Sequence, residues 1–273
     1  MKTLKNHLIL YDAECPMCNL YTQAFTSTGM LDNDGRAPYQ NLKGFSCPTV
    51  DRKRAVNEIA LVNITTGEVS YGIDSLFKVI GNAFPLFKPL FAFRPFTWTM
   101  RKLYAFISYN RKVIIPAPKA TNPTLQPTFS LKHRIAYLMA ATLIAALILT
   151  HYSRLLPYPG NAYREYLVCS GQLFFQGFIV SVIAPAKRWD YLGNMMTISL
   201  AGSLLLLPAL ALHPNAIIAT GWFAIAATGM LLEHFRRTKL LALGGTLTIT
   251  WIAYRLGVLL LILVFHLCIY KST

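Results

Sequence analysis

The residues of this chain best suited to chemistry are two cysteines two residues apart, Cys15 and Cys18, in the run Asp12-Ala13-Glu14-Cys15-Pro16-Met17-Cys18. A thiolate attacks a disulfide, and a second thiol within one helical turn releases the mixed disulfide that forms. Cys15 is the expected attacker. It stands where a helix begins, so the unpaired N–H groups and positive dipole end of the first turn stabilise its anion. Cys18 is then the resolving thiol. Pro16 suits the first helical position, because it lacks the N–H that would go unpaired there. Asp12 admits two roles: a carboxylate that accepts the Cys18 proton during resolution, or a residue that caps the helix or fixes the turn.

The same spacing serves other ends. A Cys-x-x-Cys is half of a zinc site, but Cys47 stands alone, and His7 is the only histidine before the apolar segments. The second ligand pair that zinc requires is therefore not found in this half of the chain. Unreactive structural thiols are the remaining alternative. Cys47, beside Pro48, is either a further redox partner or an inert loop thiol. The expected cofactor is none beyond a redox-active Cys15–Cys18 disulfide, and no metal.

Several elements are needed to hold this motif. Leu8-Ile9-Leu10-Tyr11 reads as a short buried strand running into it. Residues 19–30 follow as a helix with Leu20, Phe25 and Met30 among its apolar positions, ending near Gly29. Ile59-Ala60-Leu61-Val62, the turn Thr65-Thr66-Gly67-Glu68 and a strand from Val69-Ser70-Tyr71 form a hairpin. Residues 73–80 then read as a helix capped by Asp74 or Ser75, with Leu76, Phe77, Val79 and Ile80 on it. Strand, cysteine helix, variable segment, hairpin and helix fit a small α/β layer fold. Residues 84–107 are rich in Phe, Trp and Tyr, broken by Pro85, Pro89 and Pro95, and carry Lys88, Arg94, Arg101 and Lys102. They suit either a segment lying on anionic lipid or a helical subdomain against the sheet.

On three segments, residues 8–115 resemble the DCC family of thiol-disulfide oxidoreductases. These are Asp12-x-x-Cys15-x-x-Cys18, Tyr71-Gly72-Ile73-Asp74-Ser75-Leu76 after the hairpin, and Tyr104-Ala105-Phe106-Ile107-Ser108-Tyr109-Asn110-Arg111, similar to the family's closing Asn-Arg segment. The resemblance implies a thioredoxin-like fold and dithiol/disulfide exchange. The chain departs from the pattern at Ala13, where the family often has Gly. It also has Asn57-Glu58 where a thioredoxin has a cis-proline facing the active site.

Composition divides the chain. Of 273 residues, 54% are hydrophobic and 14% charged, and the mean hydropathy is +0.42. Disorder, a coiled coil and a single small soluble domain are excluded. Residues 1–115 carry 14 Lys/Arg and 8 Asp/Glu, whereas residues 116–273 carry 12 and 3 with long uncharged runs between them. Five spans are expected, near 133–153, 166–186, 192–212, 216–233 and 246–270, since about 20 residues cross a bilayer. The third and fourth are separated by a turn at His213-Pro214-Asn215. The expected organisation is a thioredoxin-like domain over 1–115, a linker over 116–130 marked by Pro116, Pro118, Pro123 and Pro127, and an all-α transmembrane domain over 131–273.

Eight basic residues (Lys119, Lys132, Arg134, Lys187, Arg188, Arg236, Arg237, Lys239) fall on one side of these spans, and three (Arg154, Arg164, Lys271) on the other. The positive-inside rule then places the N-terminal domain in the cytoplasm of a bacterial-type inner membrane and the C-terminus outside. The run 8–11 meets Asp12 and Glu14 too soon to serve as a signal peptide, so a reducing compartment is expected for the cysteines. The net charge of +15 matches anionic lipid better than nucleic acid, for which there is no basic stripe with a recognition motif.

Within the spans, Arg255 lies about 13 Å along the last helix at 1.5 Å per residue, near mid-bilayer, and marks a functional or packing site with no evident partner. His133, His151, His213 and His234 read as interfacial residues at span ends. Cys169 and Cys268 are either a second thiol pair near the outer face or space-filling residues. The expected function is thiol-disulfide exchange with a protein or small-molecule thiol or disulfide partner, at the surface of a lipid bilayer. The alternative is a non-enzymatic membrane protein, transporter-like or an assembly factor, whose soluble module senses redox state or binds metal.

Overall fold

The computed structural model describes residues 1–40, 50–117, 128–158, 160–161 and 163–271. Cys47 with Pro48, and Pro118, Lys119, Pro123 and Pro127 of the expected linker, lie outside them. The chain forms two compact units, Met1–His133 and Arg134–Thr273, and 72% of the described residues are helical.

The first unit is built on a small mixed sheet. β1 (His7–Tyr11) is buried at every position, because both its faces are covered. Leu8 and Leu10 join Tyr39, Val56 and Val62 on one side, while Ile9 joins Phe25, Leu61 and Val79 on the other. That double burial accounts for an unbroken apolar run in place of an alternating one. α1 (Pro16–Ser27) follows, burying Cys18, Thr22 and Phe25 along one face. It starts at Pro16, the position expected to open the helix, with Cys15 as its cap.

The segment after α1 holds a strand that the sequence reading missed. β2 (Arg36–Pro38) pairs parallel with β1, Leu10 opposite Ala37. At three residues it is too short for its period to show. α2 (Arg52–Asn57) is capped by Asp51, whose carboxylate accepts from Lys53 N at 2.9 Å. β3 (Ala60–Asn63) and β4 (Val69–Tyr71) form the expected hairpin, and β3 also runs antiparallel to β1, so the strand order is β2-β1-β3-β4.

α3 (Ile73–Ala83) begins without a side-chain cap. Neither Asp74 nor Ser75 caps it: Asp74 pairs with Arg101 at 3.1 Å, and the Ser75 hydroxyl donates to Ser70 O at 2.8 Å. The cap position is Gly72 at φ +61, a left-handed conformation that a side chain would strain.

α4 (Lys88–Ala92) and α5 (Arg94–Ile114) complete the unit. Residues 84–107 are largely helical, and Phe91 stacks on Phe77 of α3 with centroids 4.2 Å apart. Phe93 and Trp98 remain exposed on its outer surface.

The second unit is a helix bundle. α6 (Leu131–Tyr152), α7 (Arg164–Ile183), α8 (Arg188–Leu204), α9 (Leu207–Leu212), α10 (Ala216–Leu240) and α11 (Thr246–Lys271) follow in order. Together they provide five segments long and apolar enough to cross a membrane: Leu131–Leu155, Arg164–Ile183, Pro185–Leu212, Ala216–Leu240 and Thr246–Val264. The third is α8 and α9 joined at Leu205 and Leu206. The helix restarts around Pro208, whose missing N–H interrupts the ladder. His213 turns the chain at φ +47, and the Asn215 side chain caps α10 by accepting from Ile218 N at 3.0 Å.

Basic residues tie one end of this bundle together. Arg134 pairs with Asp190 at 3.4 Å, Lys187 donates to Leu241 O at 2.7 Å, and Arg237 donates to Asn194 Oδ1 at 2.9 Å. α10 runs seven residues past the expected end at 233, and this changes the reading of His234. It is buried inside the bundle at 1% exposure rather than interfacial.

Candidate functional site

The backbone brings the two cysteines together in the manner expected of a strand-to-helix junction. Cys15 is the N-cap of α1, with φ −95 and ψ 109, and Pro16 takes the first helical position. The Cys15 sulfur accepts the N–H of Cys18 at 3.4 Å, while the Cys15 carbonyl accepts from Asn19 N at 3.0 Å. A thiolate here replaces the usual Ser or Asp cap and meets the positive end of the helix dipole.

The two sulfurs are driven apart in acidity. Cys15 falls from 9.0 to about 6, chiefly because the Cys18 side chain hydrogen-bonds to it. The Cys18 N–H and the Arg111 charge add to the lowering, and burial and Asp12 oppose it. Cys18 is pushed upward, since its proton is held by Cys15 and the sulfur is desolvated. The arrangement favours the anion on Cys15 and the proton on Cys18. Both are buried, at 6% and 4% exposure.

Asp12 is engaged on both oxygens. Oδ1 accepts from Glu14 N at 3.1 Å and from Gln40 Nε2 at 2.8 Å, and Oδ2 pairs with Arg111 Nη2 at 2.7 Å. Its carbonyl accepts from Cys15 N at 3.1 Å. These contacts hold the turn ahead of the cysteines, and they bury the carboxylate at 5% exposure beside an equally buried guanidinium.

Arg111, Tyr104 and Ser108 are the residues of this site that sequence reasoning did not assign. Arg111 Nη2 also donates to Val56 O at 3.0 Å, while its Nε is buried with no hydrogen-bond partner among the described residues. The Tyr104 hydroxyl accepts from Ile59 N at 3.1 Å, and Ser108 Oγ donates to Asn57 O. The three side chains lie at i, i+4 and i+7 of α5, one face of a helix. That spacing of polar groups was the available signal. Their contacts fall on Val56, Asn57 and Ile59, around the Asn57-Glu58 corner, and no cis peptide bond occurs among the described residues.

The cysteine side of the site is lined by aromatic hydroxyls. Burial raises Tyr21 well above its ordinary value, and its hydroxyl shares a hydrogen bond with Cys18. Tyr39 is raised by burial and by its neighbour Asp12. The Arg36 guanidinium covers the Tyr11 ring at 4.4 Å and donates to the Tyr11 hydroxyl at 2.6 Å.

Among the described residues, no three or more His, Cys, Asp or Glu side chains are grouped so as to hold a metal ion. Cys169, half-buried on α7, and Cys268, exposed on α11, are both free thiols. No protein-family model, curated protein or solved structure matches the chain.

Proposed function

We propose that the N-terminal unit is a thioredoxin-like thiol-disulfide oxidoreductase of the DCC type, carried on a five-span membrane domain. The observation that carries this reading is the Cys15 sulfur acting as helix cap and hydrogen-bond acceptor for Cys18. Supporting the fold assignment are the element order β-α-β-α-β-β-α and the strand order β2-β1-β3-β4 around a central β1 that leads into the cysteines.

In the proposed cycle the Cys15 thiolate attacks one sulfur of a substrate disulfide. A Cys15–S–S–substrate bond forms, and the other substrate sulfur leaves as a thiolate that takes up a proton. Cys18 then loses its proton to that leaving thiolate or to solvent, attacks Cys15 Sγ, and expels the second substrate sulfur. Two electrons have passed to the substrate, and the protein holds a Cys15–Cys18 disulfide, which a thiol donor must reduce for the next turnover. Asp12 and Arg111 are positioning residues: Asp12 fixes the turn and compensates Arg111, and Arg111 favours the anionic state of Cys15.

The cytoplasmic side of a bacterial-type inner membrane is the proposed location of this unit, with the C-terminus outside. The basic clamp of Arg134, Lys187 and Arg237 at one end of the bundle supports that orientation under the positive-inside rule.

Cys18→Ser tests the mechanism. It should trap a mixed disulfide between Cys15 and the physiological partner, released by dithiothreitol, whereas Cys15→Ser should trap nothing. The burial of both sulfurs favours a second reading, a redox-sensing module that does not turn over. An intact wild-type protein that forms its internal disulfide yet yields no trapped partner and reduces no disulfide would establish that alternative.

A further inference from the structure

The bundle contains a polar group for which the cysteine chemistry has no use. On α7, Gln172 and Gln176 stand one turn apart, and Gln172 is 6% exposed. From α11, Arg255 Nη2 donates to Gln172 Oε1 at 3.2 Å, and the Arg255 guanidinium carbon lies 4.0 Å from the centre of the Trp251 ring. Trp251, 2% exposed, stacks on His234 with centroids 4.9 Å apart. α11 meets α7 at Gly171, where a Cβ would stand 2.5 Å from the Tyr254 hydroxyl that donates to Val168 O.

The two halves of this group differ in hydrogen-bond balance. Around His234 every group is matched. The Thr248 hydroxyl meets Nδ1 at 3.2 Å, Nε2 meets the Tyr191 hydroxyl at 3.2 Å, Tyr191 donates to Gln176 Oε1 at 2.8 Å, and Gln176 Nε2 donates to Thr250 Oγ1 at 3.2 Å. A neutral histidine carrying its proton on Nε2 satisfies the whole chain. Around Arg255 the donors outnumber the acceptors: Gln172 Oε1 takes one N–H of Nη2, and other donors are left over. Gln172 Nε2, Trp251 Nε1 and Arg255 Nε are all buried without a partner among the described residues. Nor does any carboxylate of those residues form an ion pair with Arg255. A cation in a membrane helix with three unmet donors, one of them its own Nε, calls for an anion.

We infer that Gln172, Trp251 and Arg255 bind a monocarboxylate. One negative charge balances the one guanidinium, whereas a dianion would leave a net charge among the helices. The two carboxylate oxygens offer about four acceptor positions to the three donors, and a planar guanidinium edge meets them with paired N–H···O bonds. The carboxylate comes either from a fatty acid in the bilayer or from a small acid in water.

The test uses the full-length protein in phosphatidylcholine nanodiscs, titrated with oleate or with acetate and followed by tryptophan fluorescence and thermal unfolding. Saturable binding of at least one acid is expected. Binding of oleate alone assigns the bilayer as the source, and binding of acetate assigns the aqueous phase. Arg255→Gln and Gln172→Leu should each weaken binding at least tenfold, while Glu233→Gln, whose carboxylate pairs with Arg236 and Arg237, should leave it unchanged. Gln172→Leu retains the arginine, so it decides the matter even if Arg255→Gln does not fold. No saturable response to either acid, or unchanged affinity in Gln172→Leu, would overturn the inference and leave the cluster as a packing device.

Discussion

Replacing Cys18 with Ala removes the largest support of the Cys15 thiolate, while replacing Arg111 with Met removes a smaller one. With Cys15 lowered from 9.0 to about 6, about nine-tenths of it is thiolate at pH 7, against roughly one part in a hundred for an unperturbed thiol. A hydrogen bond to a charged acceptor contributes about 1.5 to 3 kcal/mol, and 1.36 kcal/mol is one pH unit, so Cys18→Ala should raise the Cys15 midpoint by about 1 to 2 pH units. The Cys18 N–H and the helix dipole remain in that variant, so the midpoint should not return fully to 9.0. Arg111 acts on Cys15 through its charge alone, which ranks below both hydrogen bonds, and Arg111→Met should raise the midpoint by less than about 1 pH unit. The assay is the rate of iodoacetamide labelling of reduced full-length protein between pH 4 and 10, read from the Cys15 peptide by mass spectrometry. Restricted access of the reagent slows every rate by the same factor and leaves the midpoint of the profile in place. A wild-type midpoint near 9, or a larger shift from Arg111→Met than from Cys18→Ala, would refute the assignment of the Cys18 hydrogen bond as the main cause.

The remaining expectations concern stability and topology. Arg111→Met leaves Asp12 buried without its cation and should cost about 3 to 5 kcal/mol, whereas the Asp12→Asn, Arg111→Met double variant should cost less than the sum of the singles; additive losses in denaturant unfolding would contradict a coupled pair. Because the folded-state pKa of Cys15 lies below its unfolded value, the stabilisation is present above about pH 9 and lost as pH falls through about 6. Reduced wild-type protein should therefore gain about 2 to 3 kcal/mol over Cys15→Ser between pH 6 and 8, and parallel pH profiles in thermal unfolding would argue against a depressed thiol. A phosphatase fused at the C-terminus should be active outside the inner membrane and one fused after Arg237 inactive, with fluorescent-protein fusions giving the reverse; an inactive C-terminal phosphatase would remove the last span from the count.

Much of this architecture is a matter of local pattern, and local pattern is legible without coordinates. The placement of Cys15 and Cys18 follows from an apolar strand running into a proline-started helix, and five long uncharged runs need little more than counting, because the bilayer thickness sets their length. What depended on the tertiary structure was every pairing across long sequence separation. Asp12 reads alone as a proton acceptor or a cap, and only the packing of α5 on the sheet brings Arg111 to it and leaves its carboxylate engaged. β2 was invisible because three residues carry no period, yet its pairing makes β1 an interior strand. His234 looked interfacial from its distance to the end of an apolar run, and Arg255 looked partnerless. The bundle buries the first and sets the second against Gln172 and Trp251. Hydropathy and spacing report how each segment meets solvent or lipid, whereas the partner of a buried charge is decided by which helices face each other, a property of the whole chain that no single segment carries.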